Sequence, residues 1–259
     1  MAQAVFNRYE KKYLMPEPVY LALRERLAPH MEEDEYGLHT ICNLYYDTAS
    51  HHLIRRSIEK PVYKEKLRLR SYGVPDLNSR VFLEIKKKYN KVVNKRRIQL
   101  PLREVYGFVE LGLPPGRDSQ ITREIAFFLR RYPLKRGLYL AYDRIALFGK
   151  EDRAFRVTFD RRIRSRRTRM GLERGDAGEL LLPEGYYLME SKVMGATPLW
   201  FAAILSELAL YPVSFSKYGN IYKKERGAFD LNEILVHRME NWKLEQWRSE
   251  DPCPARDVI

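Results

Sequence analysis

Basic side chains spaced two residues apart carry most of the chemistry this sequence offers. In "KLRLRSY" (66–72), Arg68 and Arg70 alternate with Leu67 and Leu69. On a strand the two arginines share one face and the two leucines the other. Guanidinium forks bind phosphate or carboxylate oxygens in pairs, so this face either meets water or lines an anion site. The same parity recurs along the chain. Glu10 and Lys12 fall together in "RYEKKYL", Glu84 and Lys86 in "FLEIKKK", and Lys95 and Arg97 in "NKRRIQL". Tyr142 pairs with Arg144 in "AYDR", Arg156 with Thr158 and Asp160 in "FRVTFD", and Glu190 with Lys192 in "LMESK".

A wet sheet face mixes Thr, Ser, Gln, Glu and Lys freely. Here nearly every such segment has Arg or Lys at its centre, and Glu precedes Lys by two residues at Glu10, Glu84 and Glu190. Like charges packed on an open sheet repel with no return. A barrel with its charged face inside and amphipathic helices outside accounts for both faces, provided anions neutralise the interior. Carboxylates aimed at a phosphate site are repulsive unless a hard divalent cation bridges them, and Mn²⁺ or Mg²⁺ favours that ligand set. Phosphoryl transfer needs mainly positioning and charge neutralisation, so no protein nucleophile is required.

The elements that would hold these side chains are legible as alternating segments. Strands are expected at 6–14, 40–46, 62–73, 80–88, 94–102, 138–148, 153–161, 185–194 and 213–223, bounded by turn signals such as "GVPDLNS" and "LPEG". Helices are expected at 17–30, at 48–57 with Asp47 as N-cap, at 119–132, at 197–210 and at 230–247. This is an α+β pattern with mostly antiparallel strands, since hairpin-length connections outnumber crossover helices. The arginine-rich stretch 164–180 reads as a mobile basic loop inside one domain. Residues 1–228 form that domain, and 229–259 add a C-terminal helix and tail.

With 47 Lys and Arg against 34 Asp and Glu, the formal net charge is +13. The expected partner is therefore anionic, and nucleic acid, a phosphorylated metabolite and an acidic membrane surface all stay open. The 45% apolar content excludes global disorder. Cys42, in an apolar run, and Cys253, in the tail, read as two unrelated thiols. No apolar stretch is long enough to span a membrane and no signal-peptide pattern opens the chain, so a cytoplasmic protein is expected. There is no GxxxxGK[ST] loop, kinase signature, HExxH or CxxC pair, and His51 and His52 read as helix-surface residues.

"RYEKKYL", "YKEKLRLRSYG", "FLEIKKK", "AYDR", "FRVTFD", "LMESK" and "FSKYGNIY", in that order, resemble the VTC domain. This is the catalytic domain of the vacuolar transporter chaperone polyphosphate polymerases, within the triphosphate tunnel metalloenzyme superfamily, and bacteria have stand-alone forms. The resemblance runs from about residue 6 to residue 223. It implies a tunnel-shaped barrel and transfer of the γ-phosphate of ATP to a growing polyphosphate chain, with Mn²⁺ or Mg²⁺. By position it implies phosphate-handling roles for Lys12, Arg68, Arg70, Lys86, Lys95, Arg97, Arg144, Arg156, Lys192 and Lys217. Among these, Arg70, Lys86, Arg144 and Lys217 are the expected catalytic group. Tyr142 and Ser216 match a tunnel tyrosine and a serine beside the last lysine. Glu190 matches the metal-binding glutamate, with Glu10 and Glu84 as further metal candidates.

Two departures stand out. Ser214 occupies a position where the family often has a second lysine, and neither an accessory phosphate-sensing domain nor membrane segments are expected, so product translocation would need a separate membrane partner. Two rival readings remain. A hydrolase of inorganic or nucleoside triphosphate would use the same tunnel with water as the attacker. A non-enzymatic polyanion or nucleic-acid binder would rely on "RRIRSRRTR" (161–169), yet basic residues that follow strand parity and come with glutamates do not suit an open nucleic-acid surface. Trp200, Trp242 and Trp247 read as packing residues.

Overall fold

The alternating segments are the strands. The computed structural model describes residues 8–90, 92–228 and 230. Its strands are β1 (Arg8–Pro16), β2 (Met31–Glu33), β3 (His39–Thr48), β4 (Tyr63–Tyr72), β5 (Arg80–Tyr89), β6 (Val92–Pro101), β7 (Leu134–Gly149), β8 (Arg156–Arg166), β9 (Glu179–Leu180) and β10 (Tyr186–Met194). The helices are α1 (Glu17–Leu27), α2 (His52–Ile58), α3 (Leu102–Leu111), α4 (Gln120–Arg131), α5 (Leu199–Glu207) and α6 (Lys217–Lys224). The strands form one antiparallel sheet in the order β1-β10-β8-β7-β3-β4-β5-β6, with β2 on β7 and β9 on β8.

Among the described residues the two ends of this path, β1 and β6, are not hydrogen-bonded to each other, so the expected barrel is not closed by a continuous ladder. The sheet is nevertheless rolled. Glu10 and Lys12 on β1 lie near enough to Lys86 on β5 to act on its charge, although five strands lie between β1 and β5 along the path.

Leucine parity sets the outside. Leu67, Leu69, Leu83 and Ile85 bury completely against α3 and α4 through Val105, Phe108, Ile125 and Phe128. On the far side Val157, Phe159 and Met189 pack on α1 and α5 through Leu23, Leu27 and Phe201. Each such side chain contributes about 1.5–3 kcal/mol by leaving water, which fixes strand register, because a one-residue slip would turn it inward. Helix α4 starts with a reciprocal capping box between Ser119 and Thr122.

The inner face is not charged throughout. At one end a third cluster, Leu14, Leu138, Leu140 and Leu188, takes Phe215, Tyr218, Ile221 and Tyr222 from α6 and its approach, and Ile54 from α2. The segment expected as a strand at 213–223 is therefore the helix α6, and its buried Tyr218, Ile221 and Tyr222 follow helical spacing. Asp47 anchors this plug. Its carboxylate accepts the amides of Leu53 and Ile54 in α2 and the Tyr218 hydroxyl at 3.1 Å, so it caps the helix from outside rather than as the N-cap residue. Gly137 makes room: a Cβ there would meet Asp47 Cβ at 3.1 Å and the Tyr218 hydroxyl at 3.3 Å.

The expected mobile loop at 164–180 is also corrected. β8 runs on to Arg166. Buried Arg164 pairs with Asp143 and Asp176, the Arg166 guanidinium lies 3.5 Å over the Tyr139 ring, and Arg167 binds Glu225 and the Gly137 carbonyl. Helix α3 was not expected, because "LREVYGFVEL" follows the β6 strand with no loop between. The expected helix at 230–247, Cys253, Trp242 and Trp247 lie outside the described residues. Among the described residues no helix is long and apolar enough to cross a membrane.

Candidate active site

Strand parity carries the sequence-predicted cations onto the concave face, where three carboxylates organise them. The first is Glu84 on β5, only 2% exposed. Arg68, directly opposite on β4, reaches it with Nε at 3.0 Å and Nη2 at 2.5 Å. Lys95 on β6 lies at 2.7 Å and Arg70 at 3.8 Å, with Arg70 Nε also donating to Asn43. Arg97, opposite Glu84 on the other side, stacks over the Phe82 ring at 4.8 Å. Burial would raise the Glu84 pKa, but Arg68, Arg70 and Lys95 outweigh it and hold the group down at about 2.

The second is Asp160 on β8, fully buried. It takes both prongs of Arg144 from β7 at 2.6 and 2.7 Å and Lys217 from α6 at 2.5 Å. Both cations sit over the Tyr142 ring, at 5.0 and 4.6 Å. Burial opposes the charges of Asp160 and Lys217 alike, yet Arg144 and Lys217 hold the carboxyl low, and Asp160 and Glu190 hold the ammonium high.

The third is Glu190 on β10, 8% exposed. It lies 3.3 Å from Lys217, 3.4 Å from Lys12 and 3.5 Å from Lys192, which overcome its burial and keep its pKa well below the carboxylate range. Lys12 Nζ also donates to the Phe215 carbonyl at 2.9 Å, tying β1 to the approach of α6. Glu10, more exposed, completes the group at 3.7 Å from Lys12 and 3.9 Å from Lys192.

The remaining predicted residues sit around these centres. Lys86 projects into the concave space between Lys66 and Lys95 in register. Arg156 stacks over Phe148 at 4.4 Å, beside Lys192. Ser216 is exposed and its hydroxyl caps α6 by accepting the Gly219 amide at 3.2 Å. Two contributors were missed. Asp160 had the right parity, but its role needs Lys217 to arrive from a distant segment. Tyr45 on β3 accepts a hydrogen bond from Arg68 at 3.2 Å. Burial pushes its phenol up, and Arg68, Lys66 and Arg70 more than reverse this, bringing it to about 8. Its signal was the inward parity Asn43–Tyr45 inside the run "TICNLYY".

Among the described residues no three His, Cys, Asp or Glu side chains stand close enough to cage a metal. Glu10 and Glu190 do fit a partial site, because Lys12 and Lys192 each bridge both carboxylates. Mg²⁺ and similar ions are commonly held by one or two carboxylates, completing their shell with substrate oxygens and water. Glu84 differs in that its cations, Arg68, Arg70 and Lys95, bring no second carboxylate to it among the described residues, which suits a counter-charge.

A family model, the VTC domain, matches residues 7–225. A search of curated proteins finds no match. Among solved structures, a candidate adenylate cyclase from Bacillus halodurans shares the fold at 16% identity, covering 80% of this chain and 92% of that one, with a TM-score of 0.50. A candidate adenylyl cyclase from Hippeastrum, described as having a dominant triphosphatase activity, matches at 16% identity over 86% of this chain and 97% of that one, also with a TM-score of 0.50.

Proposed function

This chain belongs to the VTC-domain family, and we propose that it is a polyphosphate polymerase working on its concave basic face. The terminal oxygen of a polyphosphate chain attacks the γ-phosphorus of ATP, the bond from that phosphorus to the β,γ-bridging oxygen breaks, and ADP leaves. One observation carries the reading: Glu84, Asp160 and Glu190 each hold basic side chains in fixed orientation on a single concave face without cancelling its positive charge.

Charge in phosphoryl transfer spreads over the equatorial oxygens, so catalysis rests on prearranged cations. In this reading Arg144 and Lys217, held by Asp160, meet the transferring group. Arg68, Arg70 and Lys95, oriented around Glu84, bind the flanking phosphates, with Lys12, Lys86, Arg97, Arg156 and Lys192 lining the approach. The attacking phosphate oxygen is already anionic near neutral pH, so no base is needed. Mn²⁺ or Mg²⁺ held by Glu190 and Glu10 would supply further neutralisation of the triphosphate.

A triphosphate hydrolase is the second reading, favoured by the activity described for the Hippeastrum protein of the same fold. The nucleic-acid reading loses its main support, since Arg164, Arg166 and Arg167 are engaged in holding the fold. The test is to incubate pure protein with ATP and Mn²⁺ and to resolve the products by gel. Long-chain polyphosphate is expected; free phosphate without polymer would instead establish the hydrolase. Arg70→Ala and Glu190→Ala should abolish turnover with the fold intact, and wild-type activity in either would remove this assignment.

A further inference from the structure

Beyond Arg68, toward the start of β4, the concave wall changes character. The next inward positions are Lys66 and Lys64, and their directly opposed partners on β5 are Lys86 and Lys88. Opposed residues on neighbouring strands have Cβ atoms about 5 Å apart, and like charges so placed destabilise a sheet. Elsewhere on this face a carboxylate intervenes. Here the closest one in register, Glu84, is taken by Arg68 and Lys95. Among the described residues no ion pair joins Lys64, Lys66, Lys86 or Lys88 to a carboxylate.

The strain shows in the ammonium groups. Burial lowers Lys66 to about 8, with Lys64, Lys86 and Arg68 adding to the effect against Tyr45. Lys64 is lowered by burial, then by Lys88, Lys60 and Lys86. Lys64 is also aimed by a 3.0 Å bond to the Ser57 carbonyl in the last turn of α2. At this end α6 and α2 cover inner residues of β1, β3, β7, β8 and β10 with Tyr218, Ile221 and Ile54. No described residue of β4 or β5 joins that cluster, so the inward positions of β4 and β5 carry the charged wall onward.

We propose that Lys64, Lys66 and Lys88, continuing from Lys86, form a second phosphate-binding track that holds the already-made part of a polyphosphate chain as it leaves the concave face. The origin of that chain rests on the polymerase reading; the track itself does not. Inward positions on a strand repeat about every 6.7 Å, so two opposed strands give a linear double row suited to a linear polyanion. Lysines are rotatable point charges that hold phosphate without fixing its orientation, which suits a chain that must slide. At this end of the two strands the tyrosines, Tyr63 and Tyr89, alternate to the outer face, where Tyr63 binds Glu65, and the inward Tyr72 lies at the opposite end of β4. The inward positions of the track itself carry lysines and no aromatic ring, unlike the stacking surfaces that bind single-stranded nucleic acid.

The test measures binding of long-chain polyphosphate and of tripolyphosphate to the full chain, without ATP, for the parent and for Lys64→Gln/Lys88→Gln. Long-chain affinity should fall at least about fivefold at low salt, and its log–log salt dependence should flatten by roughly one. Tripolyphosphate affinity should stay within about twofold. Unchanged long-chain affinity, or an equal loss for both ligands, would overturn the track. If the parent makes polymer, the variant should consume ATP at the parental initial rate yet release shorter chains, and chains of parental length would also overturn it. A parent that makes no polymer sinks the polymerase reading, leaving the track to the binding measurement alone.

Discussion

Replacing Asp160 by asparagine removes one negative charge from the most deeply buried ion cluster of the site. Asp160 is 0% exposed and serves Arg144 through two bonds and Lys217 through a third. In the variant, Arg144 and Lys217 would face each other over the Tyr142 ring, with Glu190 at 3.3 Å from Lys217 as the remaining carboxylate contact. Removing one partner of a buried pair costs about 3–5 kcal/mol. Glu190 still serves Lys217, and the amide keeps one acceptor oxygen, so the lower end, about 3 kcal/mol, applies here. For a chain of this size that lowers Tm by roughly 6–12 °C. Tripolyphosphate should then raise Tm more in the variant than in the parent, because the ligand supplies the missing charge. Turnover should still fall on the order of a hundredfold, since Arg144 and Lys217 lose their orientation. Thermal melts with and without tripolyphosphate, in metal-free buffer, read the first two effects. A variant melting within about 2 °C of the parent, or gaining less from tripolyphosphate, would refute the counter-charge role.

Three further expectations follow from the same charges. Glu84 is held at about 2 against an ordinary 4.5, so its stabilisation is complete above pH 4.5 and lost as pH falls toward 2, roughly 3 kcal/mol in all. Urea unfolding of Glu84→Gln should accordingly show a shallower loss of stability over that range than the parent, and parallel curves would refute this. A near-ultraviolet difference titration between the parent and Tyr45→Phe should reveal one phenol ionising near pH 8; if the lowest phenol titrates at its ordinary pH of about 10, the cation cluster does not act on Tyr45. A chelator should stop polymer formation and excess Mn²⁺ restore it, with the metal response weakened in Glu190→Gln and retained in Glu84→Gln; the reverse pattern would move the metal to Glu84.

Much of the charged wall was legible because strand period and charge pattern coincide. Leu67 and Leu69 could bury on one side only if Arg68 and Arg70 took the other, and the structure has both leucines at 0% exposure. What stayed hidden depends on partners far apart in sequence. "FSKYGNIYKK" alternates well enough to read as a strand until the Asp47–Tyr218 bond and the space over Gly137 are known. The arginines of 164–167 look solvated until Asp143, Asp176 and Glu225 are brought to them. Openness between β1 and β6 depends on strand tilt and stagger, which residue parity does not encode.

The division of cation types along the wall has a physical logic. Where a carboxylate locks the cations, two of the three centres are built on arginine, Arg68 at Glu84 and Arg144 at Asp160. A guanidinium held by a carboxylate keeps its remaining donors in fixed directions, so a phosphate bound there meets a defined geometry. Where no carboxylate intervenes, along Lys64, Lys66, Lys86 and Lys88, every cation is lysine. A row of ammonium groups attracts polyanion strongly but distinguishes poorly between one register of phosphates and the next. A polymerase needs both behaviours on one surface: tight orientation where a bond forms, and weak register where the product must advance after each addition. A hydrolase needs only the first. The lysine row therefore links the two proposals, since a uniform wall of arginine–carboxylate clusters would have favoured release of short products over extension of a chain.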